Sequence, residues 1–509
     1  MQRTCPRFGI FISGCARVAT SEALRARMSR HSLTLSTVLL SSGLSFCAVS
    51  FASPKDVSDG FADGVQAMDA ADLNNDGFGD VLAVCGGKHA NSSIFAWFEA
   101  PGSIQGVWHR HDINPDHPLR SFLGSCALAD FDSDGDMDLA VSSDNHSGSV
   151  KEADVYVFEN PGPAAVAGTW SYHRVTESTQ PWHHINDMCV DDMDGDGKPD
   201  IICRSLEPNT IHIFFQNSLT DWVRRSIDTG IAQSEGLATG IVDADMLPDI
   251  AFTGYLLQSP SLPRTGSYTK AAIDGEYHTV NQNTKEAIGD IDGDGDNDVV
   301  ISPAEAYRNG GNAALAWYAN PGTGGTEWQQ HVLVPSTNDI HQVHLADFDD
   351  DGDVDIITGR CFSSLETRIY YNDGAGAFGS PQTLSDSRGL YSSTMIDIDG
   401  DGDIDITGIE DYAGGVAPLV YENLFYPPTS AHVDLNLVKM TIIPTTNRHS
   451  GFDMLGRRMP SLRGRRAYCL PGSSRAQGIR ASGMVIVAQK RAGSPPTRLF
   501  MLDRCSWVR

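Results

Sequence analysis

One nine-residue pattern constrains this chain more than any other feature: D-x-[DN]-x-D-G-x-x-D. In "DIDGDGDNDVV", from Asp290 to Val300, five aspartates crowd into nine residues before the chain turns apolar. Intact copies begin at Asp72, Asp130, Asp192, Asp290, Asp347 and Asp397. A seventh, "IVDADMLPD" from Ile241, lacks the first carboxylate and carries Met246 in place of the glycine. The starts lie about 49 to 62 residues apart, a spacing that suits one four-stranded unit per copy.

Carboxylates at alternate positions can point inward when the backbone wraps a cation. The glycine at position six allows the sharp turn, a carbonyl near position seven adds an oxygen, and the last aspartate closes the shell. Hard oxygen donors in that number suit calcium, which takes six to eight, better than magnesium with its stricter octahedron. The expected ligands are Asp72, Asn74, Asp76 and Asp80, then Asp130, Asp132, Asp134 and Asp138. The third and fourth sets are Asp192, Asp194, Asp196 and Asp200, and Asp290, Asp292, Asp294 and Asp298. The last two are Asp347, Asp349, Asp351 and Asp355, and Asp397, Asp399, Asp401 and Asp405, about six calcium sites in all. The ninth residue leads into "VLAV", "LAVS", "IIC", "VVIS" or "IIT", β-branched runs that read as strands. Each loop is therefore expected to join two strands, unlike the helix-flanked EF-hand. The competing reading, a solvated acidic turn, sits poorly with six near-identical copies. A cation between mutually repelling carboxylates would couple binding to stability.

A second pattern alternates with the first. "FAWFEAPG" (95–102), "VYVFENPG" (155–162) and "LAWYANPG" (315–322) are strands ending in turns. Each is followed by a Trp-x-x-His, ending at His111, His173 and His331, which are expected to pack beside their tryptophans. Each unit reads strand, loop, strand, strand, turn, strand, and helical periodicity is nearly absent. The aspartate loops and W-[FY]-x-N-P-G turns together resemble FG-GAP/VCBS repeats, the family of the integrin α-subunit propeller head and many exported microbial proteins. The resemblance covers about residues 57–430 and implies an all-β, seven-bladed β-propeller whose fourth blade departs from the loop motif. Its members include adhesion heads, lectins and supporting domains of sugar lyases, so it implies little about activity.

The ends differ from the body. Residues 53–438 hold about 62 acidic and 17 basic side chains, which excludes binding to nucleic acid phosphates and suits cations or a neutral or cationic partner. "MSRHSLTLSTVLLSSGLSFCAVSFASPKD" from Met28 has a basic start, an apolar centre and a small-x-small pattern at Ser50-Phe51-Ala52. It is expected to be a secretory signal over about 28–52, cut near Ala52 and preceded by an upstream extension. The mature protein is then secreted, periplasmic or on the cell surface, without a transmembrane anchor, and monomeric. Residues 439–509, with about 14 basic and 2 acidic side chains and no usable periodicity, read as a disordered tail or an artefact of gene prediction. Cys189 and Cys203 flank one loop, so a disulfide or two buried thiols both fit. Asn91 and Asn145 head glycosylation sequons.

A ligand site is best sought among residues that do not repeat. Six to ten positions before each loop, at the far end of an inner strand, the units differ: Gln66, Arg120, His183, His184, Asn186, Glu235, His341, Arg388 and Tyr391. These are expected near the mouth of the central channel, as a polar ring or as ordinary exposed loop residues. Three functions fit. One is a binding or adhesion module for a glycan or extracellular protein. Another is a carbohydrate lyase or dehydratase, with His184 or His341 as base and Arg120 or Arg388 facing developing charge; the same histidines with Glu235 could hold a transition metal. The third is a structural matrix role. No nucleophile elbow, zinc-protease helix or phosphate loop is present.

Overall fold

The computed structural model describes residues 49–60, 64–85, 94–113, 119–120, 122–145, 152–231, 234–305, 311–410, 417–425, 477–481, 484–488 and 499–502. The chain divides into two compact units, Met1–Pro427 and Pro428–Arg509.

The first unit holds seven four-stranded antiparallel sheets. Their innermost strands are Val65–Ala71, Cys126–Ala129, His183–Asp191, Ala238–Gly240, Thr284–Gly289, Ile340–Ala346 and Ser392–Ile396, and each neighbours the next around a closed ring. This is the seven-bladed β-propeller. In blades one to six the four strands follow in sequence order, as the repeat implies. Blade seven takes its outermost strand, Lys55–Asp56, from the beginning of the chain, and that strand pairs with Leu419–Tyr421. Three further contacts lengthen this closure. Phe51 bridges Asn423, Ala52 N–H donates to the Glu422 carbonyl (2.8 Å), and Leu424 N–H donates to that of Ser50 (2.8 Å). Ser50 to Ala52, read from the sequence as the end of a signal, thus lie against Glu422–Leu424, just ahead of the closing strand.

Every aspartate loop is the hairpin between the first and second strands of its blade. The glycine at position six takes a left-handed φ between +86° and +104° in all six intact copies. A Cβ would meet nothing within 4 Å at Gly77, Gly135, Gly197, Gly295 or Gly352, so conformation rather than space selects glycine there. Met246 holds the same place in blade four at φ +68°.

The ninth aspartate fastens each blade. Asp138 accepts Phe131 N–H at 3.0 Å on Oδ2 and Asn160 N–H at 2.7 Å on Oδ1, so one buried carboxylate ties the loop to the third strand. Asp80, Asp200, Asp298, Asp355 and Asp405 repeat both bonds. Blade four retains Asp249, which accepts Ser259 N–H at 2.8 Å.

The turn asparagine does a second job. Asn160 Nδ2 donates to the Leu73 carbonyl of blade one at 3.0 Å. Gln216 reaches Phe131 (2.7 Å), Asn320 reaches Val242 (2.8 Å), Asn372 reaches Ile291 (2.7 Å) and Asn423 reaches Phe348 (3.0 Å). Each latches its blade to the loop of the preceding one. In blade one the corresponding residue is Ala100, and Gly79 N–H instead donates to the Ile398 carbonyl of blade seven (2.8 Å). Between these latches, apolar faces of neighbouring blades fill the core, as where Phe95 meets Phe158 edge-on at 4.8 Å. Trp97, Trp170 and Trp317 are fully buried, each contributing about 1.5–3 kcal/mol or more by removal from water.

One packing expectation needs correction, and one open alternative resolves. His111 and His331 stack on Trp97 (4.3 Å) and Trp317 (4.1 Å), the residues directly across the strand pair, rather than on the tryptophans of their own Trp-x-x-His. His173 faces Val157 and pairs with Glu159 instead. Cys189 and Cys203 are both free. Cys189 pairs with Ile202 and Cys203 with Met188, so the register is offset by one residue and the two thiols point to opposite faces.

In the second unit the structure describes three antiparallel strands, Gln477–Ala481, Met484–Ala488 and Leu499–Leu502. They lie within the stretch read as a disordered tail; "MVIVA" is the apolar, strand-forming run which that reading passed over. Asn91 lies outside the described residues. Among the described residues, no helix is long and apolar enough to cross a membrane.

Candidate functional site

Two polar regions sit at opposite ends of the inner strands. At one end are the aspartate loops. The first aspartate of each loop accepts the backbone N–H of position six, as Asp72 does from Gly77 at 2.8 Å and Asp347 from Gly352 at 3.0 Å. That closes the loop and turns carboxylate oxygens inward. Atoms of Asp130, Asp132 and Asp138 lie within 4.8 Å of one another, and so do those of Asp192, Asp194 and Asp200. The same holds for Asp290, Asp292 and Asp294, and for Asp347, Asp349 and Asp351. Asp194 Oδ1, Asp290 Oδ1 and Asp349 Oδ1 are shut away from solvent and receive no hydrogen bond. A buried, undonated carboxylate oxygen is costly unless a cation faces it. The donor sets therefore fit a hard divalent ion.

Burial, with the neighbouring carboxylates adding to it, pushes the ninth aspartates upward: Asp80, Asp138 and Asp355 to about 7, Asp200 and Asp405 to about 8, Asp298 to about 6. The backbone donors oppose the shift without cancelling it.

Loop three has a cation of its own. Arg264, from blade four, forms an ion pair with Asp194, lies 3.0 Å from Asp196 Oδ2, and donates to Asn217 Oδ1 (2.6 Å) and the Gln216 carbonyl (3.1 Å). Lys198, at position seven, stands 3.6 Å from Asp196.

At the other end of the inner strands, side chains from six blades converge. Asn186 Nδ2 donates to Glu235 Oε1 at 2.9 Å. Lys285 Nζ bonds Asp187 and lies 3.9 Å from Glu235 Oε2. His341 Nε2 is 3.6 Å from Glu305 Oε1, and Asn283 Nδ2 donates to Glu305 Oε2 at 3.2 Å. The His341 ring stacks on Tyr391 at 4.4 Å, and Tyr391 OH accepts from Gln66 Nε2 at 2.8 Å. Phe362, partly exposed, stands edge-on to His341 at 5.6 Å.

Burial, reinforced by the Glu305 charge, raises the Glu235 carboxyl to about 8. Burial also opposes the charge on Asp187, but Lys285 beside it holds that carboxyl below its ordinary value. Burial would neutralise Lys285 as well, yet Asp187 and Glu235 outweigh it and keep the ammonium charged. Tyr391 is pushed well above the usual phenol range by burial, so its hydroxyl stays protonated.

Of the nine residues singled out in the sequence, Gln66, Asn186, Glu235, His341 and Tyr391 meet in this cluster. Arg120 instead pairs with Glu152 (2.7 Å) and Asp154 (3.4 Å), and Arg388 with Glu410. His184 stacks on Phe122 at 5.1 Å. His183 begins an inner strand, and its side chain lies outside the described residues. Sequence reasoning missed Asp187, Lys285, Asn283 and Glu305. Asp187 and Lys285 stand five positions before their loops, one short of the window searched. Glu305 follows a second strand rather than preceding a first.

A family model described as an FG-GAP-like repeat matches residues 72–141 and 290–358. Comparison with curated proteins gave no match. Among solved structures, BBS1N in complex with ARL6DN aligns at 13% identity over 75% of this chain and 98% of that one, with a TM-score of 0.47. The α-L-arabinofuranosidase Arb93A of Fusarium graminearum aligns at 11% identity over 73% and 97%, with a TM-score of 0.43. The V. cholerae biofilm matrix protein Bap1 aligns at 14% identity over 70% and 76%, with a TM-score of 0.27.

Proposed function

From a chain that carries FG-GAP-like repeats on a seven-bladed propeller, we propose an exported, calcium-stabilised binding module whose recognition face is the channel mouth around Glu235, His341 and Tyr391. The observation that carries this reading is convergence. Gln66, Asn186, Glu235, Glu305, His341 and Tyr391 come from different blades, do not repeat, and form one connected polar cluster. The aspartate loops at the opposite end supply the scaffold, with calcium holding carboxylates that would otherwise repel.

The chemistry of the mouth favours a glycan. Carboxylates and amides suit sugar hydroxyls, and Phe362 offers an apolar face for a ring. An anionic ligand is disfavoured by Glu235 and Glu305. The alternative, a carbohydrate lyase, would rely on His341, because Tyr391 and Lys285 both hold their protons and Arg120 and Arg388 are engaged by carboxylates outside the cluster.

The test is a glycan array probed with the full chain in millimolar-range calcium, with EDTA and His341→Ala controls and product analysis on each hit. Binding that is lost in both controls, without turnover, supports the module. Turnover that depends on His341 supports the lyase. Binding unaffected by His341→Ala removes the mouth as the recognition face.

A further inference from the structure

Glu235, Glu305 and His341 each turn one ligand atom toward a common point, and the three atoms lie within 4.8 Å of one another. Glu235 and His341 are each only 6% exposed. Three features of the surroundings go beyond an ordinary buried polar cluster.

The first is the tautomer of His341. Its Nδ1 lies 2.8 Å from the Tyr391 backbone carbonyl. A carbonyl only accepts, so Nδ1 carries a hydrogen, and it is Nε2 whose lone pair is free to bind a metal in place of a proton. Nε2 lies 3.6 Å from Glu305 Oε1, too far for a hydrogen bond. A backbone carbonyl fixing the distal nitrogen is the usual support of a metal-bound imidazole.

The second is the way the carboxylates are held. Asn186 takes up Glu235 Oε1 and Asn283 takes up Glu305 Oε2. Each amide thereby leaves the other oxygen for the common point. Glu235 Oε2 is closed off from solvent and receives no hydrogen bond; its nearest cation, Lys285, is 3.9 Å away and bonded to Asp187.

The third is charge. Asp187, Glu235, Glu286 and Glu305 share two basic side chains, Lys285 and Arg204, so acidic groups outnumber basic ones around the site.

We propose that Glu235, Glu305 and His341 bind a divalent transition metal, of the zinc class, in the channel mouth. The set of one imidazole and two monodentate carboxylates suits zinc, whose ligands lie about 2.0–2.2 Å away, and a small inward movement of three side chains reaches that shell. An imidazole donor disfavours calcium and magnesium, so the site is chemically distinct from the aspartate loops. Three protein ligands leave a position for water or a ligand oxygen entering from the channel. The site stands whether or not the mouth takes a glycan.

The test uses the full, untagged chain in excess calcium, titrated with zinc against a chromophoric chelator, and then with cobalt(II). One tight zinc equivalent per chain that calcium does not displace is expected, with visible absorption of low-coordinate cobalt. His341→Ala and Glu235→Gln should each weaken zinc by about 100-fold or more, and Asn283→Ala by about 10-fold, with melting in calcium confirming that each variant folds. Absence of the tight equivalent in the unmodified chain overturns the proposal. So does a zinc affinity unchanged in both ligand variants, even if the glycan array succeeds. A site lost from the ligand variants while the array fails leaves the metal assignment standing.

Discussion

Asn160 donates its side-chain amide to the carbonyl of Leu73, 3.0 Å away and one blade earlier. The same amide reaches the Met137 carbonyl at 3.2 Å, and its backbone N–H is held by Asp138. One residue thus joins a loop, a strand end and the neighbouring blade. Asn160→Ala leaves the buried Leu73 carbonyl without this donor, and a loss of about 1–3 kcal/mol is expected. Denaturant unfolding in calcium measures it. A variant as stable as the parent would show that the latch contributes nothing.

Asp249 separates the two roles of the ninth aspartate. Blade four lacks the first carboxylate, yet Asp249 is buried and still accepts Ser259 N–H. Asp249→Ala should therefore destabilise the protein by about 1–3 kcal/mol to the same degree in calcium and in EDTA. A loss confined to calcium would mean that this position works through a metal.

Stability should depend on pH in opposite senses with and without calcium. The ninth aspartates are raised to about 6–8 in the folded chain, against an ordinary value near 3.8. Without a cation, the folded state keeps protons that the unfolded chain has released, so stability falls as pH rises from about 4 to 8. A bound cation displaces those protons, and its affinity grows over the same range. Thermal melts in EDTA should thus be lower near pH 8 than near pH 5.5, and calcium should reverse the order. A chelated melt that climbs with pH would contradict this.

Arg264 gives loop three a permanent counter-charge through Asp194 and Asp196. Arg264→Gln should leave those carboxylates facing one another and enlarge the drop in melting temperature on adding EDTA, by the equivalent of about 1–3 kcal/mol. An EDTA effect identical to the parent's would show that the guanidinium carries no electrostatic load there.

The strand–loop–strand unit and the count of seven blades were legible because both depend on local pattern: alternate aspartates, a glycine at a left-handed position, and β-branched runs. The mouth was legible only in part. Glu235, His341 and Tyr391 stood out as residues that break the repeat, and inner-strand direction placed them at one end. Glu305 reaches the same point from a second strand, which no spacing rule connects to His341. Arg120 and Arg388 share the sequence window of the mouth residues, but Asp154 and Glu410 hold them elsewhere, and such pairing across strands is invisible before the register is known. The register also decided against a Cys189–Cys203 bridge, since a one-residue offset places symmetric-looking neighbours on opposite faces.

The outermost strand of blade seven is made by Lys55–Asp56, about 360 residues before its partner Leu419–Tyr421. Of the described strands, the earliest in the chain is therefore among the last to find its place. Until Tyr421 has emerged, those early residues have no sheet to join, and blade seven presents an unpaired edge to other chains. Completion of blade seven thus requires both ends of the propeller, and a chain cut short before Leu419 leaves Lys55–Asp56 without its partner strand.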